Sequence, residues 1–154
     1  MKRFWLTPPE TYAALNAEFA FDFDPCPCPR PTGYNSLVVP WGRCNYVNPP
    51  FLHSAAPHGG PAAFARRAIA ERDAGNTSVL ILPVPWSIGL LMSAGAEIRY
   101  GGKVQWLDVD TRQPCPRKAP QVIAVLRPNA PLHGRAEART VEEDVGTASK
   151  GKPE

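Results

Sequence analysis

Hydrophobic positions follow two periods along the chain, and the switches between them mark out the elements. Thr7-Pro8-Pro9-Glu10 opens a segment in which Tyr12, Ala14, Leu15 and Phe19 fall at helical spacing. The spacing predicts a helix over about 8–19. Thr7 reads as its capping hydroxyl, Pro8 as its first position and Glu10 as the second half of a capping box. Phe21-Asp22-Phe23-Asp24 then alternates apolar and acidic residues, the period of a strand, and stops at Pro25. Nine prolines between Pro25 and Pro61 forbid a long helix there, because each removes a backbone donor and crowds the preceding turn. Within that stretch only Cys44-Asn45-Tyr46-Val47 reads as a strand, and Asn48-Pro49-Pro50-Phe51 ends it.

Pro61 opens a second helix, with Phe64, Ala65, Ala68 and Ile69 on one face and an end near Gly75-Asn76. Ser78-Val79-Leu80-Ile81-Leu82 is a continuous apolar run, as expected of a parallel strand covered on both faces. A short helix is expected over 86–94, and strands over 97–100, 103–106 and 121–126. Helices alternate with strands up to about residue 100 and a strand-rich end follows. The expectation is an α/β fold with a mostly parallel sheet and antiparallel strands toward the C-terminus. Apolar content collapses after Pro131. One domain is therefore expected over 1–132, with 133–154 as a disordered tail.

Composition narrows the class without naming it. The chain has 154 residues, 44% hydrophobic and 20% charged, close to an ordinary soluble domain. Nineteen prolines are an excess, yet no repeat period accompanies them, so a collagen-like chain is excluded. No window reaches the length of apolar sequence that a membrane span needs. The first nine residues begin basic but hold no signal-peptide core, so a cytoplasmic location is expected. A net charge of +3 is compatible with a phosphate-bearing partner and does not require one. Cysteines at 26, 28, 44 and 115 are expected as thiols in that compartment. The single residue inside Cys26-Pro27-Cys28 is too short a spacing for a paired zinc ligand set, so no metal is expected.

Two strands end in unusual polar loops, Asp24-Pro25-Cys26-Pro27 and Asn48-Pro49-Pro50-Phe51. In α/β sheets ligands bind at the carboxyl ends of strands, so these loops place the expected site. The second loop suits chemistry on an exocyclic amine. Such a nitrogen is a poor nucleophile because its lone pair is delocalised into the ring. Acceptors for its hydrogens hold the lone pair toward an electrophile. The Asn48 amide oxygen supplies one acceptor and the Pro49 carbonyl a second. Pro50 stiffens the loop, and Phe51 offers a ring on which an extruded base stacks.

With these residues in view, the chain resembles the phage-type DNA adenine-N6 methyltransferases over roughly residues 5–127. Thr7-Pro8-Pro9 resembles the family's opening Thr-Pro motif. Phe21-Asp22-Phe23-Asp24-Pro25-Cys26 resembles its Phe-x-x-Asp-Pro-Cys segment. Asn35-Ser36-Leu37, with Trp41 after it, resembles the Asp-Gly/Ser-Leu…Trp segment. Asn48-Pro49-Pro50-Phe51 resembles the catalytic motif. Leu80-Ile81-Leu82-Pro83 and Gly102-Lys103-Val104-Gln105-Trp106 resemble the later strand and the Gly-Arg-x-x-Phe segment. The resemblance implies a minimal Rossmann-like methyltransferase fold and S-adenosylmethionine as methyl donor. It implies DNA as partner and a phage or prophage protein in a bacterial host. Asn48, Pro49, Pro50 and Phe51 would be catalytic. Thr7, Pro8, Asp24, Pro25 and Asn35 would face the cofactor, with Asp24 meeting the methionine amine. Asn35 stands where the family has aspartate, and the short interval between Asp24 and Asn48 implies a reduced sheet.

Alternatives on the same scaffold are methylation of cytosine N4 or of a protein glutamine, and a catalytically silent nucleic-acid-binding module. His53 and His58 follow the motif as solvated or nucleic-acid-facing residues. Arg66, Arg67 and Arg72 form either a solvated helix face or a phosphate contact. Lys103, Arg112, Arg117 and Lys118 lie where a target-recognition loop could sit, with the same two readings. Trp41, Trp86 and Trp106 are expected in the core.

Overall fold

In chain order the elements are β1 (Trp5–Leu6), α1 (Pro9–Phe19), β2 (Cys44–Val47), α2 (Pro61–Asp73), β3 (Thr77–Pro83), α3 (Ile88–Ser93), β4 (Glu97–Val104), β5 (Leu107–Asp108) and β6 (Ala119–Leu126). The structure is a computed structural model that describes residues 5–51, 60–83, 87–116 and 119–129. His53, His58, Trp86, Arg117, Lys118 and the tail 133–154 lie outside the described residues. No helix among the described residues is long and apolar enough to cross a membrane.

The main sheet has the order β2-β3-β6-β4. β2 and β3 pair in parallel, joined by the α2 crossover. β6 runs antiparallel to both β3 and β4. The chain is thus α/β, but the sheet is mixed, with one parallel ladder and two antiparallel ones, rather than mostly parallel. The cause lies in the connections. A parallel pair needs a helical crossover, and no helix separates β4 from β6 among the described residues, so β6 returns against its neighbour. The expected strand at 21–24 shrinks to one parallel bridge, Phe23 to Asn45, on the free edge of β2. The two strands expected over 97–100 and 103–106 become β4 alone, whose register shifts between Tyr100 and Lys103. Gly101 and Gly102 (φ 77°) form that irregularity, leaving Gln105 and Trp106 beyond the strand.

Alternate residues of the sheet feed two cores. Val47, Leu80, Leu82, Val122, Ala124 and Leu126 pack against Phe64, Ala65 and Ala68 of α2 and Leu91 of α3. Tyr46, Ile81 and Val104 pack on the opposite face with Leu15 of α1 and Trp106. Covering both faces explains why β3 is apolar without a gap. Trp41 and Trp106 are buried, as the sequence predicts.

The long proline-rich segment is held by polar anchors rather than by regular structure. Asn45 is fully buried. Its amide accepts from Gly42 N at 2.8 Å and donates to the Gly42 and Thr77 carbonyls at 3.1 and 2.8 Å. Gly42 itself lies so close to Asp22 that an added Cβ would collide with the Asp22 carboxylate. Arg67 donates to the Leu37 and Val39 carbonyls, both at 2.9 Å, and pairs with Glu71. Its guanidinium also lies over the Trp41 ring. Arg72 pairs with Asp73 and donates to the Ala94 carbonyl. Only Arg66 of the three helix arginines is left on an exposed face. The phosphate reading is therefore replaced, for Arg67 and Arg72, by a bracing role.

Replacing Arg67 with methionine keeps the stem and removes every one of those bonds, leaving the buried Glu71 carboxylate without its cation. Arg67→Met is expected to cost about 2–4 kcal/mol of stability in urea denaturation. A loss below about 0.5 kcal/mol would mean that the arginine is a surface residue after all.

Candidate functional site

The Phe23 segment and β2 run side by side, so the loops leaving their carboxyl ends emerge together. These loops, 24–30 and 48–51, form one side of two adjoining cavities of about 310 and 350 Å³. The opposite side comes from β1, which pairs antiparallel with β5, and from the turn that follows β5. Leu6, Cys26, Cys28, Asn48 and Arg112 line both cavities, which makes them one cleft with two lobes.

Asn48 sits at the junction of the lobes with a defined orientation. Its Nδ2 donates to the Trp5 carbonyl at 2.8 Å and to Thr7 Oγ1 at 3.3 Å. Both amide hydrogens are therefore taken up by protein, and the amide oxygen remains as an acceptor. Thr7 Oγ1 also shares a hydrogen bond with the Tyr46 hydroxyl. Tyr46 is buried, edge-on to Tyr12 at 4.9 Å, and burial above all pushes its phenol up, so it stays neutral. Thr7 is thus not the cap of α1. Pro8 holds the N-cap position and no side chain caps the helix. With Pro8 in the N-cap position, Thr7 lies one residue outside the helix start, and its hydroxyl faces Asn48 instead.

Asp24 lines the lobe beside Thr7 and Tyr46. Its Oδ1 accepts from Cys26 N at 2.7 Å. Burial pushes the carboxyl up to about 6, against a smaller downward pull from that hydrogen bond. Burial, and then the Asp24 charge, push the Cys26 thiol well up, which leaves it protonated and a poor nucleophile. No disulfide joins the cysteines. Among the described residues no group of three or more His, Cys, Asp or Glu side chains comes together to hold a metal.

The structure does not bring all the sequence-predicted residues onto one surface. Asn48 and Pro49 line the first lobe, and Thr7, Asp24 and Asn48 the second. Pro8, Pro25 and Pro50 are buried as packing. Asn35 caps its own turn, its Oδ1 accepting from Leu37 N at 3.1 Å, and lines neither lobe. Phe51 faces a separate cavity of about 490 Å³, edge-on to Trp106 at 5.3 Å. Trp5 forms part of both this cavity and the first lobe. The third cavity is walled by Trp5, Phe51, Pro83, Trp106 and Pro116, with fully buried Gln121 as its polar member. Gln121 Oε1 has no partner among the described residues.

Three cleft residues, Trp5, Arg30 and Tyr46, escape the sequence pattern, while Arg112, singled out there for a target-recognition loop, lines both lobes. Arg30 follows Asp24 within a loop already singled out, so its position was a usable signal. Trp5 and Arg112 meet the cleft only through the β1–β5 pair, whose two-residue strands carry no periodicity. Comparison with known proteins finds no matching family model, curated protein or solved structure.

Two substitutions test the polar character of these cavities. Asp24 binds its proton more tightly in the fold than in an unfolded chain, so stability is lost as pH rises from 3.8 through about 6. Asp24→Asn removes that loss. It is expected to raise stability at pH 7 by up to about 3 kcal/mol, with the gain shrinking toward pH 4 in parallel urea titrations. A pH-independent difference would contradict the shifted carboxyl. Gln121→Leu removes an unpartnered buried acceptor and is expected to stabilise the chain by about 1 kcal/mol in the same assay; destabilisation would show that the amide is satisfied.

Proposed function

We propose that the chain is an S-adenosylmethionine-dependent methyltransferase that transfers a methyl group directly to an exocyclic amine. Adenine N6 of DNA is the acceptor we put first, on a minimal Rossmann-like methyltransferase fold. The observation that carries the reading is the fixed Asn48 amide at the carboxyl end of β2, with its oxygen left as an acceptor in the cleft. An amine nucleophile needs that acceptor, preorganised so that no reorientation is required during reaction. DNA and adenine come from the sequence resemblance.

The cleft residues fit the donor. The two lobes together offer the space of a ligand of cofactor size. Asp24, buried and without a cation among its pKa-lowering neighbours, suits the donor's ammonium group. When bound, the donor supplies a methyl group activated by its sulfonium. Asn48 Oδ1 would accept a hydrogen from the acceptor amine, and the Pro49 carbonyl the second. Thr7 and the Trp5 carbonyl hold Asn48 in register. Tyr46, kept neutral, anchors Thr7. Transfer is direct, so no cysteine is needed as nucleophile, consistent with the protonated Cys26 thiol. The Phe51–Trp106–Trp5 cavity next to the cleft offers aromatic surface of the kind on which an extruded base stacks.

The test is methyl transfer from labelled S-adenosylmethionine to unmethylated DNA, with nucleoside analysis of the product. Label in N6-methyladenine is expected. Label in N4-methylcytosine would keep the mechanism and change the acceptor. Asn48→Ala should lower transfer by roughly a hundredfold or more while circular dichroism and cofactor binding are retained. Near-normal transfer by that variant would sink the mechanism. DNA binding without cofactor binding would favour a silent binding module.

A further inference from the structure

The short β1–β5 pair, outside the main sheet, brings one large ring to the cleft. Trp5 pairs with Asp108 across it and packs against the core that holds Tyr46, Val104 and Trp106. From there Trp5 reaches two spaces at once. It lines the first lobe with Asn48 and Pro49, and it lines the aromatic cavity with Phe51 and Trp106. Among the described residues no other lines both the aromatic cavity and either lobe. A group that passes between the aromatic cavity and Asn48 therefore passes Trp5.

The main chain of Trp5 acts on the same amide. Its carbonyl is an acceptor only, and Asn48 Nδ2 donates to it at 2.8 Å. Turning the amide over would set two oxygens against each other. The Thr7 hydroxyl both gives and accepts, so it would tolerate either orientation. The Trp5 carbonyl thus decides which way the Asn48 oxygen faces. In the aromatic cavity, Phe51 and Trp106 meet edge-on, with centroids at 5.3 Å and planes at 75°. Rings so arranged leave no parallel slot between them. A flat group there needs another face, and Trp5 is the remaining aromatic wall.

We infer that Trp5 is a positioning residue for the acceptor: its carbonyl orients the Asn48 amide, and its indole is the face on which the acceptor's ring lies as the amine meets that amide. The inference rests on the methyl-transfer reading above and deepens it by naming the residue that aligns acceptor with amide. Because one residue makes both contacts, a ring lying on the indole is placed relative to the carbonyl that holds Asn48. An aliphatic side chain of similar bulk would fill the space without offering the flat face.

The experiment measures transfer kinetics of the full chain on DNA that it methylates, for wild type, Trp5→Phe and Trp5→Leu. Each variant keeps the main-chain carbonyl, so the Asn48 side-chain amide signal in spectra of asparagine-labelled protein should stay in place, which also reports folding. Trp5→Leu is expected to lower kcat/KM for DNA by roughly tenfold or more, and Trp5→Phe to recover most of it. A folded Trp5→Leu protein with near-normal kcat/KM overturns the inference. Should Trp5→Leu fail to fold, fluorine spectra of fluorotryptophan-labelled wild type decide. The Trp5 signal, assigned by its loss in Trp5→Phe, should move when that DNA is added, and a fixed signal overturns the inference. Asn48→Asp tests the carbonyl, because it keeps an oxygen toward the cleft and sets another against Trp5. It should lose transfer as Asn48→Ala does, and near-normal transfer overturns the orienting role. Absence of transfer by the wild type overturns the methyl-transfer reading and this inference together; with transfer present, the other failures overturn the inference alone.

Discussion

The cleft depends on one hydrogen bond, from Asn48 Nδ2 to the Trp5 carbonyl, across 43 residues of sequence. It joins the first short strand to the end of β2, in a region where neither partner belongs to the main sheet. It fixes the Asn48 amide, and with it the side on which the amide oxygen lies. The Thr7 hydroxyl adds a second bond, and Tyr46 ties Thr7 to the core between α1 and the sheet. A polar side chain at a strand end is thereby held as firmly as the apolar residues beneath it.

Around this tether the cleft keeps its charges apart. Asp24 is buried enough to resist ionisation, yet no arginine has moved in to neutralise it. Arg30 is fixed by Tyr34 and retains an unanswered N–H. Elsewhere among the described residues, four arginines are paired with carboxylates. Arg99 and Arg127 share Glu97, and hydrogen bonds to both arginines hold that carboxyl at about 2. Arg67 is likewise saturated by two carbonyls and Glu71. The contrast separates arginines that brace the fold by pairing from Arg30, whose buried Nη2 has no partner among the described residues.

The comparison of sequence with structure is instructive residue by residue. Both long helices and β2, β3 and β6 follow from the apolar pattern, because such a pattern survives whatever it packs against. The loops at 24–27 and 48–51 were legible as strand ends, and the structure sets them side by side. Thr7 was legible as important but with the wrong partner: the same hydroxyl that suits a helix cap also suits a neighbouring amide, and sequence alone does not rank them. Phe51 was read as part of one pocket with Asn48, yet it faces a different cavity, because successive residues leaving a strand point in different directions.

What the sequence determined by itself is local: where elements begin and stop, which faces are apolar, and which loops carry acceptors and acid. Those properties depend on neighbours a few residues away. Strand direction, the position of Trp5 over Asn48, the lack of an ion pair between Asp24 and Arg30, and the lone Gln121 oxygen were decided by tertiary structure. Each depends on which distant groups share a space, and on whether burial leaves a polar atom with a partner.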